Sequence, residues 1–291
     1  PRTKPFGFEG VGVIGLNWLK KVKDEFGFKT ATEVANAHHV YAALEADVDI
    51  LWIGARSTVN PFTVQEIAVA LKGTNKPVLV KNPVNPDLAL WIGALERLLG
   101  QDVKNLGVIH RGFSSYQKTK YRNLPNWQIA LDFKHQYPNI PMFVDPSHIC
   151  GRRDLLSDVT QEAFNVGYEG AMIESHCNPD AAWSDAAQQI TPEVLAEMLG
   201  NLQIRNSDIS GFDEEMGKHR ALISDIDFQL IELLSNRMKI SEKIGALKKE
   251  NNIAIFQPDR WKVIAEYASA RAEESGMGKD FIEKVFKAIH E

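Results

Sequence analysis

Cysteine is scarce in this sequence, and long hydrophobic runs and a strong excess of charge are absent from it. The 291 residues include only Cys150 and Cys177, so no disulfide framework holds the fold, and a reducing cytoplasm is the simplest location. No apolar run approaches the ~18 residues that cross a membrane, and no signal-peptide pattern opens the chain. The formal net charge of −5 argues against general nucleic-acid binding. We therefore expect no membrane partner and no nucleic-acid partner, and any basic site must be local.

The chain is long enough, and contains enough hydrophobic residues, for two hydrophobic cores. Hydrophobic residues make up 44% of the chain and charged residues 24%, as in ordinary soluble proteins. Single domains usually contain ~100–200 residues, fewer than this chain. Because the pattern of the sequence changes after residue 203, we expect a first domain over residues 1–203, a polar linker over 204–216 and a second domain over 217–291.

Short β-rich runs alternate with amphipathic stretches in the first domain, which is typical of βαβ units and a parallel sheet. Most runs end in a charged or polar residue, and the carboxyl ends of barrel strands carry the active site. We therefore expect a (β/α)8 barrel whose first two strands are missing from this sequence, which starts in mid-motif at Pro1. An open, six-stranded doubly wound sheet is the alternative. The six runs are residues 30–34, 50–54, 77–81, 106–109, 141–145 and 171–174, and helices are expected over 61–72 and 86–99.

The second domain has the periodicity of helices only. Apolar residues recur every three or four positions between Lys218 and Glu250, where proline is absent. Pro258 suits the first turn of a second helix, which ends near Ser275, and a third helix covers residues 280–291. One long helix and two shorter ones therefore predict an all-α domain. The apolar positions of the long helix are Ile223, Ile226, Leu230, Leu233, Ile240, Ile244 and Leu247.

Three possible metal ligands follow predicted strands of the first domain. His148, Glu174 and Asp185 would converge at one rim of a barrel and offer one nitrogen and two carboxylate oxygens. Such a set suits a borderline divalent cation such as Mn, Fe, Co or Zn. A strand-end Glu taken alone is more often the partner in a structural salt bridge, so the metal prediction depends on all three residues together.

Three cations follow strands directly and indicate an anionic substrate. Arg56, Lys81 and Arg111 would lie close to the same rim, where charge-assisted hydrogen bonds can hold phosphate or carboxylate groups. Each one alone could be a solvated loop residue. Three together predict a small substrate rich in phosphate or carboxylate.

The motifs around these residues resemble those of 3-deoxy-arabino-heptulosonate 7-phosphate (DAHP) synthases of the smaller bacterial type, over residues 1–203. The resemblance implies an aldol-like condensation of phosphoenolpyruvate with erythrose 4-phosphate that releases phosphate. It also implies that His148, Glu174 and Asp185 bind the metal ion and that the three cations bind phosphoenolpyruvate. Arg2 and Thr3 match the segment that holds the phosphate of erythrose 4-phosphate. The matching motifs are Pro-Arg-Thr at 1–3, Ile-Gly-Ala-Arg at 53–56, Asp-Pro-Ser-His at 145–148, Gly-Arg-Arg-Asp at 151–154, Met-Ile-Glu at 172–174 and Ser-Asp-Ala-Ala-Gln-Gln at 184–189.

The sequence departs from this family at several positions. The family's fourth metal ligand is a cysteine on the first strand, and a lysine before Pro-Arg-Thr also contacts phosphoenolpyruvate; this sequence contains neither. Cys150 and Cys177 do not match the ligand position, and His110 stands where relatives carry Glu. The related synthases that make KDO 8-phosphate share the barrel, but the Pro-Arg-Thr segment favours the DAHP branch.

Two cations lie on the apolar face of the long helix. At ~100° per residue, Arg237 falls within ~60° of Leu233 and Ile240, and Lys248, 11 residues further on, lies ~20° from Arg237. A buried guanidinium requires an anion, which an internal Glu or Asp or a bound ligand could supply. Arg220 is ~100° round the helix from Arg237, so a symmetry-related subunit could bring it to the same site.

This pattern resembles the all-helical chorismate mutases, over residues 208–291. The resemblance implies the cofactor-free rearrangement of chorismate to prephenate by an intertwined homodimer, in which the first arginine crosses into the partner's site. The matching residues are Arg220, Arg237, Lys248, Arg260 and Gln257. Gln257 stands where some relatives have Asp, Trp261 replaces a Glu, and the family's last helix continues further than this sequence.

The two resemblances together predict a bifunctional enzyme of the shikimate pathway that looks shortened at both ends. Chorismate or prephenate bound at Arg237 and Lys248 would provide feedback by altering the activity of the barrel through domain movement. Two alternatives are a helical domain that acts as a non-catalytic sensor and dimerisation module, and a catalytically inactive barrel, should the missing strands be absent from the protein.

Overall fold

The chain forms two compact units, Pro1–Ser207 and Asp208–Glu291. The computed structural model describes residues 8–116, 118–205, 213–254 and 258–290, without the side chains of residues 213, 214 and 258–261. The long helix of the second unit begins at Asp213, inside the segment 204–216 that the sequence analysis assigns to the linker. The boundaries of that linker stay a prediction.

Six parallel strands form one sheet in the first unit, and each strand pairs with the next one along the chain. This order excludes the doubly wound alternative, because a doubly wound sheet reverses its strand order at a switch point. The sheet is the six-stranded half of an α/β barrel, as predicted. The strands are β1 (Ala31–Val34), β2 (Ile50–Ile53), β3 (Val78–Lys81), β4 (Leu106–His110), β5 (Met142–Val144) and β6 (Gly170–Ala171).

Each of the six strands overlaps a predicted run, but β5 is two residues shorter than its run and β6 shares only Ala171 with its run. The predicted strand extends to Glu174, whereas β6 ends at Ala171. Beyond it, the backbone N–H of Ile190 donates to the carbonyl of Glu174 at 3.2 Å, and the N–H of His176 donates to the carbonyl of Ile190 at 2.9 Å. The chain after β6 therefore bonds to its own later segment, which fixes Glu174 beyond the carboxyl end of the sheet.

Helices connect the strands, and local capping explains where two of them start. Asn60 accepts hydrogen bonds from the backbone of the first turn of α4, and Pro61 occupies the first helical position. Asp87 caps α5 in the same way. Both helices were predicted, whereas the short α3 and α7, which follow β2 and β5 directly, were not. The helices are α1 (Val13–Phe26), α2 (Ala37–Glu45), α3 (Ala55–Thr58), α4 (Pro61–Leu71), α5 (Leu88–Leu99), α6 (Trp127–Gln136), α7 (Pro146–Cys150), α8 (Leu156–Asn165) and α9 (Pro192–Asn201).

The core lies between the sheet and these helices. Residues at alternate strand positions, such as Leu51 and Ile53 of β2 and Val80 of β3, are fully buried. Trp52, which lies between Leu51 and Ile53, is only partly buried. Burying one aliphatic side chain contributes about 1.5–3 kcal/mol. Alternation along the strands thus separates a packed side from the side that faces the interior of the half-barrel.

The second unit is all-helical, as predicted, with α10 (Asp213–Glu250), α11 (Pro258–Glu274) and α12 (Lys279–His290). Ala268 and Ala272 of α11 are buried, and α11 packs against α12. In contrast, the apolar side chains of α10 are largely exposed in the single chain, for example Leu230 at 50% and Ile240 at 59%. Among the described residues, no helix combines the length and the apolar character that crossing a membrane requires.

Candidate active site

The turn from β5 into α7 organises the candidate site through one carboxylate. Asp145 caps α7: its Oδ1 accepts the backbone N–H of His148 at 3.0 Å, and Pro146 occupies the first helical position. The same buried carboxylate binds the ammonium of Lys81 at 2.6 Å and lies 2.9 Å from Nδ1 of His148. Burial alone would raise the pKa of Asp145, but Lys81 and His148 hold it well below its usual range. Asp145 is therefore ionised and fixes both neighbours.

His148, Glu174 and Asp185 come together, as the sequence analysis expects of a metal site. One ligand atom from each lies within 4.8 Å of the other two. Because Asp145 holds Nδ1 of His148, Nε2 is directed towards Glu174, whose Oε1 is 3.8 Å away. A carboxylate behind a histidine is the usual support of a metal-binding imidazole. The three donors therefore fit a borderline divalent cation, with one nitrogen and two oxygens.

The two carboxylates of this cluster have further partners. Burial raises the pKa of Glu174, and its other oxygen accepts a hydrogen bond from Gln188 at 2.9 Å. Asp185 accepts one from Arg122 at 2.9 Å and adopts a left-handed backbone with φ of 51°. A positive φ is uncommon outside glycine and is often found at functional sites. Both carboxylates are thus held in place by neighbouring side chains.

The three predicted anion-binding cations are also brought together. Arg56, Lys81 and Arg111 line one pocket, together with His148 and Glu33. Arg111 is almost fully buried, and burial lowers its pKa to about 10, so it stays charged at neutral pH. The pocket therefore offers three positive charges beside the candidate metal ligands.

Two residues that support Arg111 were missed by the sequence analysis. Asn123 accepts a hydrogen bond from the guanidinium of Arg111 at 2.8 Å and donates one to the carbonyl of His148 at 2.6 Å. Asn82 accepts the backbone N–H of Arg111 at 2.7 Å. The strand-end rule could have identified Asn82, which directly follows Lys81. Asn123 lies in an irregular loop without periodicity and gives no such signal.

Glycine is required at residue 151, where the end of α7 approaches Arg122. Gly151 ends α7 with φ of 67°, and an added Cβ would lie 2.5 Å from the Cβ of Arg122. Any side chain at residue 151 would displace Arg122, which holds Asp185.

Neither cysteine belongs to the metal-ligand cluster found among the described residues. Cys150 is buried, and burial raises the pKa of its thiol to about 12. Cys177 is exposed, with its sulfur 3.9 Å from Nδ1 of His176. Four predicted site residues cannot be placed: Arg2, Thr3 and Gln257 lie outside the described residues, as does the side chain of Arg260.

The predicted site cations of the helical unit whose side chains are described all lie on α10. Arg237 is half-buried, and its guanidinium lies 3.0 Å from Nε2 of His290. Lys248 follows 11 residues later, about 16 Å along the helix axis. Arg220 is exposed near the start of the helix. The guanidinium is less deeply buried than expected, because the surrounding apolar residues are exposed in the single chain.

The fold and site define the class: an α/β barrel whose candidate site lies at the carboxyl ends of the strands, where barrel enzymes carry their active sites. Residues 1–209 match the family described as "DAHP synthetase I family", and residues 219–291 match "Chorismate mutase type II". The chain therefore belongs to the DAHP synthetase I family and carries a chorismate mutase type II domain.

Individual relatives agree with this assignment. A phospho-2-dehydro-3-deoxyheptonate aldolase of Thermotoga maritima is 30% identical over 203 residues, which are 70% of this chain and 58% of that protein. A 2-dehydro-3-deoxyphosphooctonate aldolase of Pseudomonas putida is 29% identical over 233 residues, 72% of this chain and 77% of that protein. The crystal structure of a Thermotoga maritima DAHP synthase superposes with a TM-score of 0.61 at 27% identity, over 74% of this chain and 59% of that chain. The chain thus spans less than two thirds of the Thermotoga proteins.

Proposed function

We propose that the first domain condenses phosphoenolpyruvate with erythrose 4-phosphate to give DAHP and phosphate. The proposal depends on one observation: His148 belongs to both parts of the site. It lies in the ligand cluster with Glu174 and Asp185. It also lines the pocket of Arg56, Lys81 and Arg111. A cation site and an anion-binding pocket side by side suit a reaction between an anionic enol phosphate and an aldehyde.

The residues of the pocket have distinct tasks in this proposal. Arg56, Lys81 and Arg111 bind the phosphate and carboxylate of phosphoenolpyruvate and orient its methylene carbon towards the aldehyde. That carbon bonds to the aldehyde carbon, the bond between phosphate and the enol carbon breaks, and water supplies the oxygen that remains there. A divalent ion (Mn, Fe, Co or Zn) held by His148, Glu174 and Asp185 would supply Lewis-acid polarisation of the aldehyde. Arg2 and Thr3 are proposed to hold the phosphate of erythrose 4-phosphate.

The choice of aldehyde is tested by phosphate release with two substrates. A seven-carbon product requires the four-carbon erythrose 4-phosphate, whereas the eight-carbon product named for the Pseudomonas relative requires a five-carbon aldose phosphate. We expect phosphate release with phosphoenolpyruvate and erythrose 4-phosphate only. Turnover with arabinose 5-phosphate alone would contradict the proposal.

We further propose that the helical domain converts chorismate to prephenate as a homodimer. Arg237 and Lys248 lie on one face of α10, where two cations can bind a dicarboxylate and stabilise developing charge. Arg220 would come from the partner subunit, and Arg260 and Gln257 would complete the site. Loss of chorismate absorbance in the presence of the purified chain tests this activity.

A non-catalytic sensor is the second candidate for the helical domain, and the bond between Arg237 and His290 favours it. This contact occupies the guanidinium within the single chain at 3.0 Å. Binding of chorismate or prephenate without turnover would support the sensor. In either case we propose feedback, so saturating prephenate should lower the synthase rate, and an unchanged rate would exclude it.

A further inference from the structure

The imidazole of His110 is buried at the end of β4, next to the site but outside the pocket lining described above. The ring is completely buried and lies among aromatic side chains, with Trp127 edge-on at a centroid distance of 5.3 Å and Phe113 at 5.7 Å. Two hydrogen bonds reach it: Nε2 lies 2.6 Å from the carbonyl oxygen of Pro125, and Nδ1 lies 2.8 Å from the hydroxyl of Tyr168.

The protonation state of the imidazole decides which atom donates in each of these two hydrogen bonds. Burial lowers the pKa of His110 to about 4, so the ring is neutral at physiological pH and carries one N–H. The carbonyl of Pro125 can only accept, so Nε2 carries the proton. The lone pair of Nδ1 then accepts from the hydroxyl of Tyr168. The result is a directed chain from Tyr168 through His110 to Pro125.

This chain holds together both ends of the loop of residues 111–125. The loop leaves β4 at Arg111, the residue after His110, and returns at Pro125. Reciprocal backbone hydrogen bonds between Phe113 and Leu124, at 2.7 and 2.8 Å, join its two sides. We call this residue pair the neck of the loop. The imidazole therefore joins the two ends of the loop next to this neck.

The return segment of the loop positions a substrate-binding cation. Asn123, two residues before Pro125, binds the guanidinium of Arg111 at 2.8 Å and the carbonyl of His148 at 2.6 Å. The carbonyl of His110 itself accepts the backbone N–H of Asp145 at 2.8 Å. A shift of the neck would thus move Asn123, and with it the guanidinium of Arg111.

We propose that His110 and Tyr168 are positioning residues that set the place of Arg111 for phosphoenolpyruvate by closing the neck of the 111–125 loop. This role rests on the condensation proposed above. Neither side chain touches the substrate in this arrangement; both act through Pro125 and Asn123.

Two conservative variants test the proposal in the full chain. Tyr168→Phe removes only the donor to Nδ1 and keeps the ring that packs against His110. His110→Gln retains a donor near Nε2 but has no acceptor at the position of Nδ1, where the hydroxyl of Tyr168 donates. By analogy with the supporting partners of metal ligands, whose loss typically costs 10–100-fold, we expect the KM for phosphoenolpyruvate to rise about tenfold in His110→Gln and less in Tyr168→Phe. The KM for erythrose 4-phosphate should change by less than about twofold.

Matched controls separate positioning from general destabilisation. His135→Gln changes an exposed histidine of α6, and Tyr137→Phe removes a hydroxyl from a ring that packs on Phe133 at 5.5 Å. Both controls should keep the wild-type KM for phosphoenolpyruvate. The double variant His110→Gln/Tyr168→Phe should be no worse than His110→Gln, because Tyr168 acts through His110.

Calorimetric binding of phosphoenolpyruvate without the aldehyde gives a second readout. The proposal requires weaker binding in Tyr168→Phe than in Tyr137→Phe, at equal thermal stability. Wild-type affinity in Tyr168→Phe, or an equal rise of both KM values, overturns the positioning role while the condensation stands. Absence of phosphoenolpyruvate binding by the wild-type chain would instead overturn the proposed function, and this inference with it.

Discussion

At the scale of single residues, Asp145 links the candidate metal ligands to the candidate substrate cations. Its carboxylate is buried to 1% exposure and binds Lys81 and His148 at once. An ammonium buried without a counter-ion is unfavourable, and an imidazole without its supporting carboxylate is poorly oriented. Removing this one negative charge should therefore weaken both parts of the site.

The variant Asp145→Asn tests this link. We expect the affinity for Mn²⁺ to fall by about 10–100-fold, because the amide no longer orients His148 as an anion does. Titration calorimetry of the full chain measures it. Asp158→Asn, at an exposed position of α8, is the control and should bind Mn²⁺ like the wild type. Unchanged Mn²⁺ affinity in Asp145→Asn would contradict the assigned ligand geometry.

Arg237 is the residue on which the proposed mutase activity depends most. Removing one donor to a developing charge typically costs about 10²–10³ in rate. Arg237→Ala should therefore lower chorismate turnover by at least about 100-fold. Lys239→Ala, two residues away on another face of α10, should leave it unchanged. A chain that turns chorismate over equally well without Arg237 would require a different site.

At the scale of elements, one ion network ties α1 to the first two strands. Asp49, just before β2, accepts hydrogen bonds from the backbone N–H of Thr30 at 2.8 Å and from Lys23 of α1 at 2.9 Å. The backbone bond from Thr30 and the bond from Lys23 lower the pKa of Asp49 to about 2. The network therefore joins three elements at the amino end of the sheet.

The pH dependence of this network has a definite sign. Because the folded-state pKa of Asp49 is below the unfolded value of about 3.9, its contribution to stability is complete above that value. The contribution is lost as the pH falls towards about 2. Asp49→Asn should thus lower the free energy of unfolding in urea at pH 6, and the difference from wild type should shrink at pH 3.5. A difference that is the same at both pH values would contradict this assignment.

The sequence predicts the elements with strong periodicity and misses those that depend on local contacts. The six strands and helices α4, α5 and α10 to α12 follow from alternation, helical spacing and caps. The short helices α3 and α7 carry Arg56 and His148 but contain too few residues for a period. Glu174 was expected at a strand end and instead lies beyond β6, where its carbonyl accepts from Ile190 and its N–H donates to the hydroxyl of Ser147.

The residues of the candidate site also divide into those that the sequence pattern predicts and those that depend on contacts in the fold. Residues at or directly after the ends of strands, such as Lys81 and Arg111, could be identified because all parallel strands present their carboxyl ends at one rim. Asn123 and Tyr168 could not, because their roles arise from contacts between loops that are distant in sequence. The burial of His110 is likewise visible only in the fold.

At the scale of the whole molecule, α10 exposes a row of apolar side chains that the proposed homodimer would cover. Single chains rarely leave such a continuous apolar surface in water. On this face, Ile226, Leu230 and Leu233 are each at least 50% exposed. The proposed homodimer would cover them and bring Arg220 of one subunit towards Arg237 of the other.

A charged residue on this face should separate the subunits. Leu230→Lys places an ammonium in the proposed interface and should weaken dimerisation by at least about tenfold, since 1.4 kcal/mol is already a factor of ten. Glu232→Lys also introduces an ammonium, but on the polar side of α10 that carries Asn236 and Lys239. Sedimentation equilibrium measures both. Dimerisation of Leu230→Lys as strong as that of Glu232→Lys would place the interface elsewhere.

The rim of the half-barrel is proposed to be a metal-dependent condensation site. Its most direct test follows the ultraviolet absorbance of phosphoenolpyruvate in the presence of the full chain, erythrose 4-phosphate and Mn²⁺, before and after chelation. We expect loss of absorbance that requires both the aldehyde and the metal ion and that returns when Mn²⁺ is added back. Consumption that persists after complete chelation, or none from a folded chain with any of Mn, Fe, Co and Zn, would contradict it.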